Sequence, residues 1–515
     1  MSSESALCAN CGYTVANDME LPTTPVLDLL GGNYVASESQ AQMICDTISS
    51  VRAGISRLEG AITRLSAVLD GLAAKHDAFQ IYTHSLVALV APIRRLPPEV
   101  LSEIFLHYND ENNISDLRLN MAPLLLGGVC SRWRTVALST PRLWTSFSLT
   151  IRPKYLKSNV MLAETWLTRA GTCPLTIRLA SHGSFKNSMK PLMKVFLLHC
   201  EQWYDIDLSV PLPVLCSLAP AKNRLPSLQR LHLHSKSEEI LDIFEFAPRL
   251  RWLRLPFLDP SIVKIPWNQI EYLDMGTREV DRCLDLLHTT PNLEKCLVRI
   301  TSSEPCQSHS SVQLLRLRSM TIGRNSTYLL DSLLLPKLHE ISIDSWFWTA
   351  TSQLTSLLSR CSPTKLSLGL SYSQSGLSDN DMIQILRTCP LLLQLDLWEC
   401  APQCMTASFF AQFAYRRGPE HLTTEQLVPT LRTINIHYSG IEFSILDFAD
   451  AIQSRIISNS EGPASDDITG LQTVKIHYRS HRSIRNFDPH ILSRLRQLRV
   501  TGLEISFLED GKDIL

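Results

Sequence analysis

The period of the apolar positions changes along the chain, and each change predicts a different kind of element. Residues 1 to about 40 show no period and contain Pro22, Pro25, Gly31 and Gly32, which predicts a flexible leader. From Ile44 the pattern becomes regular. Ile44, Val51, Leu58, Leu65, Leu72, Phe79 and Leu86 recur every seven residues, with Ile48, Ile55, Ile62 and Leu69 interleaved. This 4-3 spacing predicts one long helix over 41–91 with a continuous apolar seam. With Ile44 at d, the a positions are isoleucine-rich and the d positions leucine-rich, a combination that favours parallel dimers. His76 and Thr83 weaken the next a positions, and the flanks offer little complementary charge. A homodimer through residues 44–86, as a coiled coil, and packing of the helix within its own chain both remain open.

A compact helical segment follows over 92–150. Leu96 precedes Pro97-Pro98-Glu99, a helix start where proline costs little because first-turn N–H groups lack partners anyway. Val100, Leu101, Ile104 and Phe105 then share one stripe. After a polar insert from Asn109 to Asn120, Leu126, Val129, Cys130, Trp133, Val136 and Ala137 recur at helical spacing until Pro141.

Residues 151–200 read as a connection, and 201–515 as a repeat. The unit is apolar-x-x-apolar-x-apolar, from Trp203/Ile206/Leu208 and Leu228/Leu231/Leu233 through Leu471/Val474/Ile476 to Leu495/Leu498/Val500. Successive starts lie 25, 22, 20, 23, 24, 21, 25, 29, 39, 40 and 24 residues apart. Most fall in or near the period of leucine-rich repeats, and the two long ones imply insertions near 401–425 and 455–468. Pro226, Pro248, Pro291, Pro336, Pro390 and Pro429 each stand two residues before a first apolar position. Several follow helical runs such as EEILDIFEF, DRCLDLLHT and DMIQILRTC, so each unit reads helix, stop, short strand. One unit cannot bury its own face, whereas stacked units can, which predicts a curved solenoid with strands on the concave side. Generic buried β–α structure is the alternative, and it does not explain the placed prolines. The expected fold class is therefore α and α/β: a long helix, a small helical module and a leucine-rich-repeat-like βα solenoid.

Composition adds mainly exclusions. Lys plus Arg is 49 and Asp plus Glu 50, which argues against a general nucleic-acid binder. A late basic cluster (Lys475, Arg479, Arg482, Arg485, Arg494, Arg496, Arg499) is equally well read as solvated strand faces. No apolar run reaches ~18 residues, so no membrane span is expected. The N-terminus lacks a basic start followed by an apolar core, so an intracellular location, cytoplasmic or nuclear, is expected, with reduced thiols. Phosphate-binding loops, zinc-protease and nucleophile-elbow motifs are absent, so no enzyme and no cofactor is expected. Cys8-x-x-Cys11 has knuckle spacing but no second pair, so no metal site is expected. His232 and His234 read as surface histidines. Trp346, Phe347 and Trp348 cannot all face one core.

The segment from Leu96 to Trp144 resembles an F-box. The carriers are Leu96-Pro97-Pro98-Glu99, Ile104-Phe105, Val129-Cys130-x-x-Trp133-Arg134 and Pro141-x-Leu143-Trp144, in order. The preceding heptad helix is similar to that of many fungal F-box proteins. The polar stretch from Asn109 to Asn120 departs from the pattern by lengthening the connection. The resemblance implies a substrate-recognition subunit of an SCF-type cullin-RING ubiquitin ligase. It would dock on a Skp1-type adaptor, and through it a cullin, and select a protein substrate through the repeats. Leu96, Pro97, Leu101, Ile104, Phe105, Val129, Cys130 and Trp133 would carry the docking contact, although some of them must hold the module's own core. A repeat scaffold, or an F-box protein acting outside a ligase, is the alternative.

In each repeat the residues flanking the last two apolar positions face the concave side. That face reads Arg230/His232, Trp252/Arg254, Tyr272/Asp274, Lys295, Glu340, Lys365, Gln394/Asp396, Asn435, Lys475 and Arg499. Aromatic and arginine side chains most often anchor interfaces, so Trp252, Arg254 and Tyr272 are the candidate substrate anchors, with selection by loops as the alternative.

Overall fold

A computed structural model describes residues 5–8, 13–15, 26, 35–111, 122–181, 189–235, 239–301, 311–324, 326–345, 351–370, 377–398, 404–415, 426–438, 444–457, 470–478, 489–500, 502–509 and 511–515. The chain divides into two units, Met1–Leu101 and Ser102–Leu515.

In the first unit β1 (Ser5–Cys8) and β2 (Tyr13–Val15) pair antiparallel, and α1 (Glu38–Val90) follows. No proline interrupts α1. It starts where Gln40 Oε1 accepts the Ser37 N–H at 3.0 Å, and it stops before Pro92. None of its 53 residues is buried. The seam residues Ile48, Ile55, Ile62, Leu69, Leu72 and Phe79 are all exposed. The unit boundary falls inside α2 (Pro98–Glu111).

The second unit continues through α3 (Ala122–Val129) and α4 (Ser131–Leu138) into a repeat. Its first strands are β3 (Ser146–Ile151), β4 (Leu175–Ser181), β5 (Trp203–Ser209), β6 (Arg230–Leu233), β7 (Trp252–Leu255), β8 (Tyr272–Thr277) and β9 (Lys295–Ile300). After the short β10 (Val312–Gln313) come β11 (Ser319–Arg324), β12 (Leu333–Leu334), β13 (Glu340–Ser345), β14 (Lys365–Leu370) and β15 (Gln394–Trp398). The last are β16 (Thr433–Tyr438), β17 (Thr473–Tyr478), β18 (Glu504–Glu509) and β19 (Lys512–Asp513). Among the described residues, all but β1, β2, β10 and β12 form one 15-stranded sheet in chain order, parallel except for the closing β18–β19 pair.

Helices cover one face of this sheet. They are α5 (Leu156–Ala170), α6 (Lys190–Leu198), α7 (Leu212–Cys216), α8 (Val280–His288), α9 (Thr351–Arg360), α10 (Asp379–Arg387), α11 (Ala407–Phe413), α12 (Ile445–Ile457) and α13 (Pro489–Val500). Towards them points an in-register row from Phe147, Ile177, Ile206 and Leu231 to Ile434, Val474 and Ile505, none more than 3% exposed. Each such burial contributes roughly 1.5–3 kcal/mol. The other face of the sheet is open and polar.

Three expectations need correction. The sheet begins at β3, not near residue 201. Trp144/Phe147/Leu149 fits the repeat template, but its first residue also closes the F-box-like pattern, which hid the strand. Leu495/Leu498/Val500 is helix: these residues lie in α13, and the strand comes later, at Ile505/Phe507. Arg499 is therefore not on the open face; its guanidinium donates to Ile505 O at 2.8 Å and pairs with Asp513 at 2.7 Å. The run before Pro248 is not helical. Leu241 instead bridges Val263, and residues 243–246 form turns that bury Ile243 and Phe244. Trp346, Phe347, Trp348, Arg479, Arg482, Arg485, Cys11 and most of the polar insert lie outside the described residues, as does the insertion after residue 457.

The insertion between β15 and β16 holds α11, whose Phe409, Phe410 and Phe413 are buried. Arg455 in α12 anchors it. Its guanidinium donates to Phe413 O at 2.9 Å, Val428 O at 3.1 Å and Leu427 O at 2.6 Å, and lies 4.0 Å from the Phe413 ring centroid. Burial lowers its pKa to about 10, so it stays cationic at neutral pH. We predict that Arg455→Met lowers unfolding stability by about 2–4 kcal/mol, because three carbonyls lose a charged donor. Arg455→Lys should recover less than half, since an ammonium lacks the planar fork. Denaturant midpoints check both.

Candidate functional site

Apart from Leu96, Pro97 and Leu101, which belong to the first unit, the residues that the sequence nominates lie on two surfaces of the second unit. The first is built on α2, α3 and α4. Cys130 caps α4: its backbone is extended and its Sγ accepts the Trp133 N–H at 3.4 Å. That cap sets Trp133 against Phe105, with ring centroids 4.9 Å apart. The chain then turns at Pro141. Trp144 donates its indole N–H to Ala137 O at 2.8 Å and meets Trp166 of α5 edge-on at 4.8 Å. The helices are thereby tied to α5, whose Trp166 also meets Phe147 of β3 at 5.7 Å.

Exposure separates the nominated residues. Leu101 is 0% and Phe105 1% exposed, so both side chains are committed to the interior. Cys130, Trp133 and Leu96 are half-buried, and Pro97 is exposed. Ile104 at 43% and Val129 at 60% remain open to solvent. So do Leu125, at 60%, and Val100, at 45%, neither of them nominated. A helix whose two neighbouring stripes are both apolar gives no sequence signal for which stripe faces in.

The second surface is the open face of the sheet. Parallel pairing in register puts Arg230 beside Trp252, Trp252 beside Tyr272, and Tyr272 beside Lys295. The Trp252 and Tyr272 rings stack at 4.5 Å with planes 10° apart, as their adjacency in the repeat suggests. Arg254 is not a free anchor. Its Nε lies 2.9 Å from Asp274 Oδ2, and Arg299 reaches the other oxygen at 2.6 Å. Asp274 is 1% exposed and holds both guanidinium groups in place. Similar cross-strand pairs recur: His232 with Asp207 at 3.0 Å and Lys365 with Glu340 at 2.7 Å. Much of the charge on this face is thus matched within the chain. Asp396, nearly buried, accepts from Asn435 at 2.6 Å and from Gln394 at 3.0 Å.

Sequence reading missed the stack at the other end. Trp398, His437 and His477 occupy one row, with centroids 3.6 and 4.0 Å apart and planes 5° and 8° apart. Burial, and then the neighbouring His477, lowers the His437 pKa to about 4. Burial lowers that of His477 as well. The signal was present as the residue directly after the last apolar position, Leu397, Ile436 or Ile476, in three successive repeats.

No group of three or more His, Cys, Asp or Glu among the described residues is placed to hold a metal. No helix among them is long and apolar enough to cross a membrane. Burial pushes the Cys296 and Cys389 thiols up to about 12, so they behave as small apolar side chains. An open pocket of about 1000 Å³ at the strand ends is lined by Phe257, Arg278 and Thr301, among others. Its Arg282 is occupied by Asp259 at 3.2 Å and Glu279 at 3.1 Å.

No protein family and no curated protein matches the chain. Among solved structures it is similar to a chain of the crystal structure of the Rad7 and Elc1 complex in yeast, at 12% identity and a TM-score of 0.32, over 83% of this chain and 96% of that one.

The histidine stack makes stability depend on acid. His437 titrates near 4 when folded and at its ordinary 6.5 when unfolded, so between those values the unfolded chain binds more protons. Stability should therefore be full above pH 6.5 and fall as the pH drops towards 4. We predict that His437→Phe flattens the melting temperature against pH over that window. An unchanged slope would mean that the ring titrates normally.

Proposed function

We propose that the chain is a substrate-recognition subunit of an SCF-type cullin-RING ubiquitin ligase. It docks on a Skp1-type adaptor, and through it a cullin, with an F-box over 92–150, and presents the open face of a leucine-rich-repeat-like sheet to a protein substrate. The ordered F-box pattern from Leu96-Pro97-Pro98-Glu99 to Pro141-x-Leu143-Trp144 supports this reading. The observation that carries it is the exposure of Ile104 and Val129 on helices whose interior is already filled by Phe105 and Trp133. Exposed apolar side chains beside a closed core are what a desolvated docking contact uses.

In this reading Leu96 and Pro97 open the docking motif. Ile104 and Val129 touch the adaptor, and Leu101, Phe105, Cys130 and Trp133 shape the helices that present them. Trp252 and Tyr272 supply an aromatic platform for substrate, with Arg254 fixed beside it by Asp274. The exposed seam of α1 over residues 44–86 serves either a second copy or packing in cis. The second reading, a repeat scaffold acting outside a ligase, shares the surfaces and lacks the cullin. The receptor does no chemistry itself; it raises the local concentration of substrate near the ligase.

We predict that Ile104→Glu combined with Val129→Glu, in the full chain, cuts capture by a purified Skp1-type adaptor at least about tenfold, since unpaired carboxylates in a desolvated contact cost several kcal/mol. Its thermal melt should stay at the wild-type value. Phe105→Ala should behave differently and lose about 3–5 kcal/mol of stability. Undiminished adaptor binding by the folded double variant would remove the docking assignment. Capture of the adaptor without recruitment of a cullin would favour the scaffold.

A further inference from the structure

One row of the open face carries parts of a binding site that the described residues do not fill. In it Gly323, Asp344, Gly369 and Trp398 lie side by side on β11, β13, β14 and β15. His437 stacks on one face of the Trp398 ring, on the β16 side. The other face looks towards β14, where Gly369 contributes no side chain. Trp398 is accordingly 45% exposed. Beyond the glycine stands Asp344, exposed, its Oδ1 3.4 Å from where a Gly369 Cβ would sit. Ring face and carboxylate thus rise from strands two spacings apart, roughly 9.6 Å at the backbone, and the carboxylate leans over the glycine between them.

The same row shows what such a floor accommodates. Over Gly323 lies the chain's own Arg299, with Cγ 3.2 Å and Cδ 3.9 Å from the position of the absent Cβ. Over Gly369 the ring and the carboxylate are present, but among the described residues no cation answers Asp344. Lys365, on the same strand, is 2.7 Å from Glu340 and 3.9 Å from Asp396.

We propose that the Asp344–Gly369–Trp398 slot binds an arginine side chain presented by an extended segment of a protein partner. A guanidinium is planar and weakly hydrated, so one face stacks on the indole while its N–H fork meets the carboxylate. An ammonium has the charge without the plane. The two histidines behind Trp398 are neutral at pH 7, because burial holds their protons off, so they do not repel the guest. The proposal names a ligand for the substrate face of the reading above and rests on that part of it. Its test uses no adaptor, so failure of docking and failure of this site are read separately.

The test is fluorescence anisotropy of the full chain with labelled hexaarginine and hexalysine at physiological ionic strength. We expect hexaarginine to bind at least about fivefold more tightly than hexalysine. Asp344→Asn and Trp398→Leu should each weaken hexaarginine about fivefold or more, and Gly369→Val, which fills the floor, should do the same. Asp344→Asn is exposed and isosteric, so it decides the matter even if another variant folds poorly. Equal affinity for the two peptides, no binding of hexaarginine up to millimolar concentration, or unchanged affinity in Asp344→Asn would overturn the proposal.

Discussion

In-register parallel pairing is the constraint on which the rest of this sheet depends. It brings residues 20 to 40 positions apart in sequence to neighbouring places on one row, as with Arg254 and Asp274 or Asp396 and Asn435. Strands ~4.8 Å apart then force like or complementary side chains to stack. The inward rows collect apolar residues and exclude water. The outward rows become ladders in which an arginine faces an aspartate, a tryptophan a tyrosine, or a histidine a histidine. A slip of one residue in any strand would turn its apolar set outward, so the buried rows fix the register and the register fixes the surface chemistry.

That constraint explains what could be read from sequence. The repeat was legible because one strand per unit imposes a period, and placed prolines mark where each connection ends. The Trp252–Tyr272 platform followed directly, since both stand at the same offset in adjacent units. Pairs between different offsets were not legible. Arg299 reaches Asp274 from two residues beyond Leu297, its partner in the register, and no single-repeat pattern shows that. The ends of the sheet were lost for a different reason. At Trp144 two patterns share one residue, and at Leu495 a leucine- and arginine-rich run satisfies a strand template while folding as a helix. The helical module posed a third problem: Ile104 and Phe105 are adjacent and both apolar, and only tertiary packing decides which one is buried.

The functional reading divides along the same line. Phe105, Trp133 and Trp144 close an interior and tie it to the sheet, while Ile104 and Val129 are left over as apolar surface. On the open face, Arg254 and Arg299 are held by a buried carboxylate, while Trp398 keeps one ring face uncovered. Residues that the chain satisfies internally define the shape of a surface. Those that it leaves unsatisfied define what the surface can hold.

The central claim, that distant repeats build one surface through register, is tested most directly by a double-mutant cycle on Asp274 and Arg299. The two lie 25 residues apart with a 2.6 Å contact on adjacent strands. Unfolding of the wild type, Asp274→Asn, Arg299→Gln and the double variant should give a coupling energy of about 1–3 kcal/mol. Strictly additive effects of the two substitutions would mean that the strands do not meet in this register, and would contradict the account.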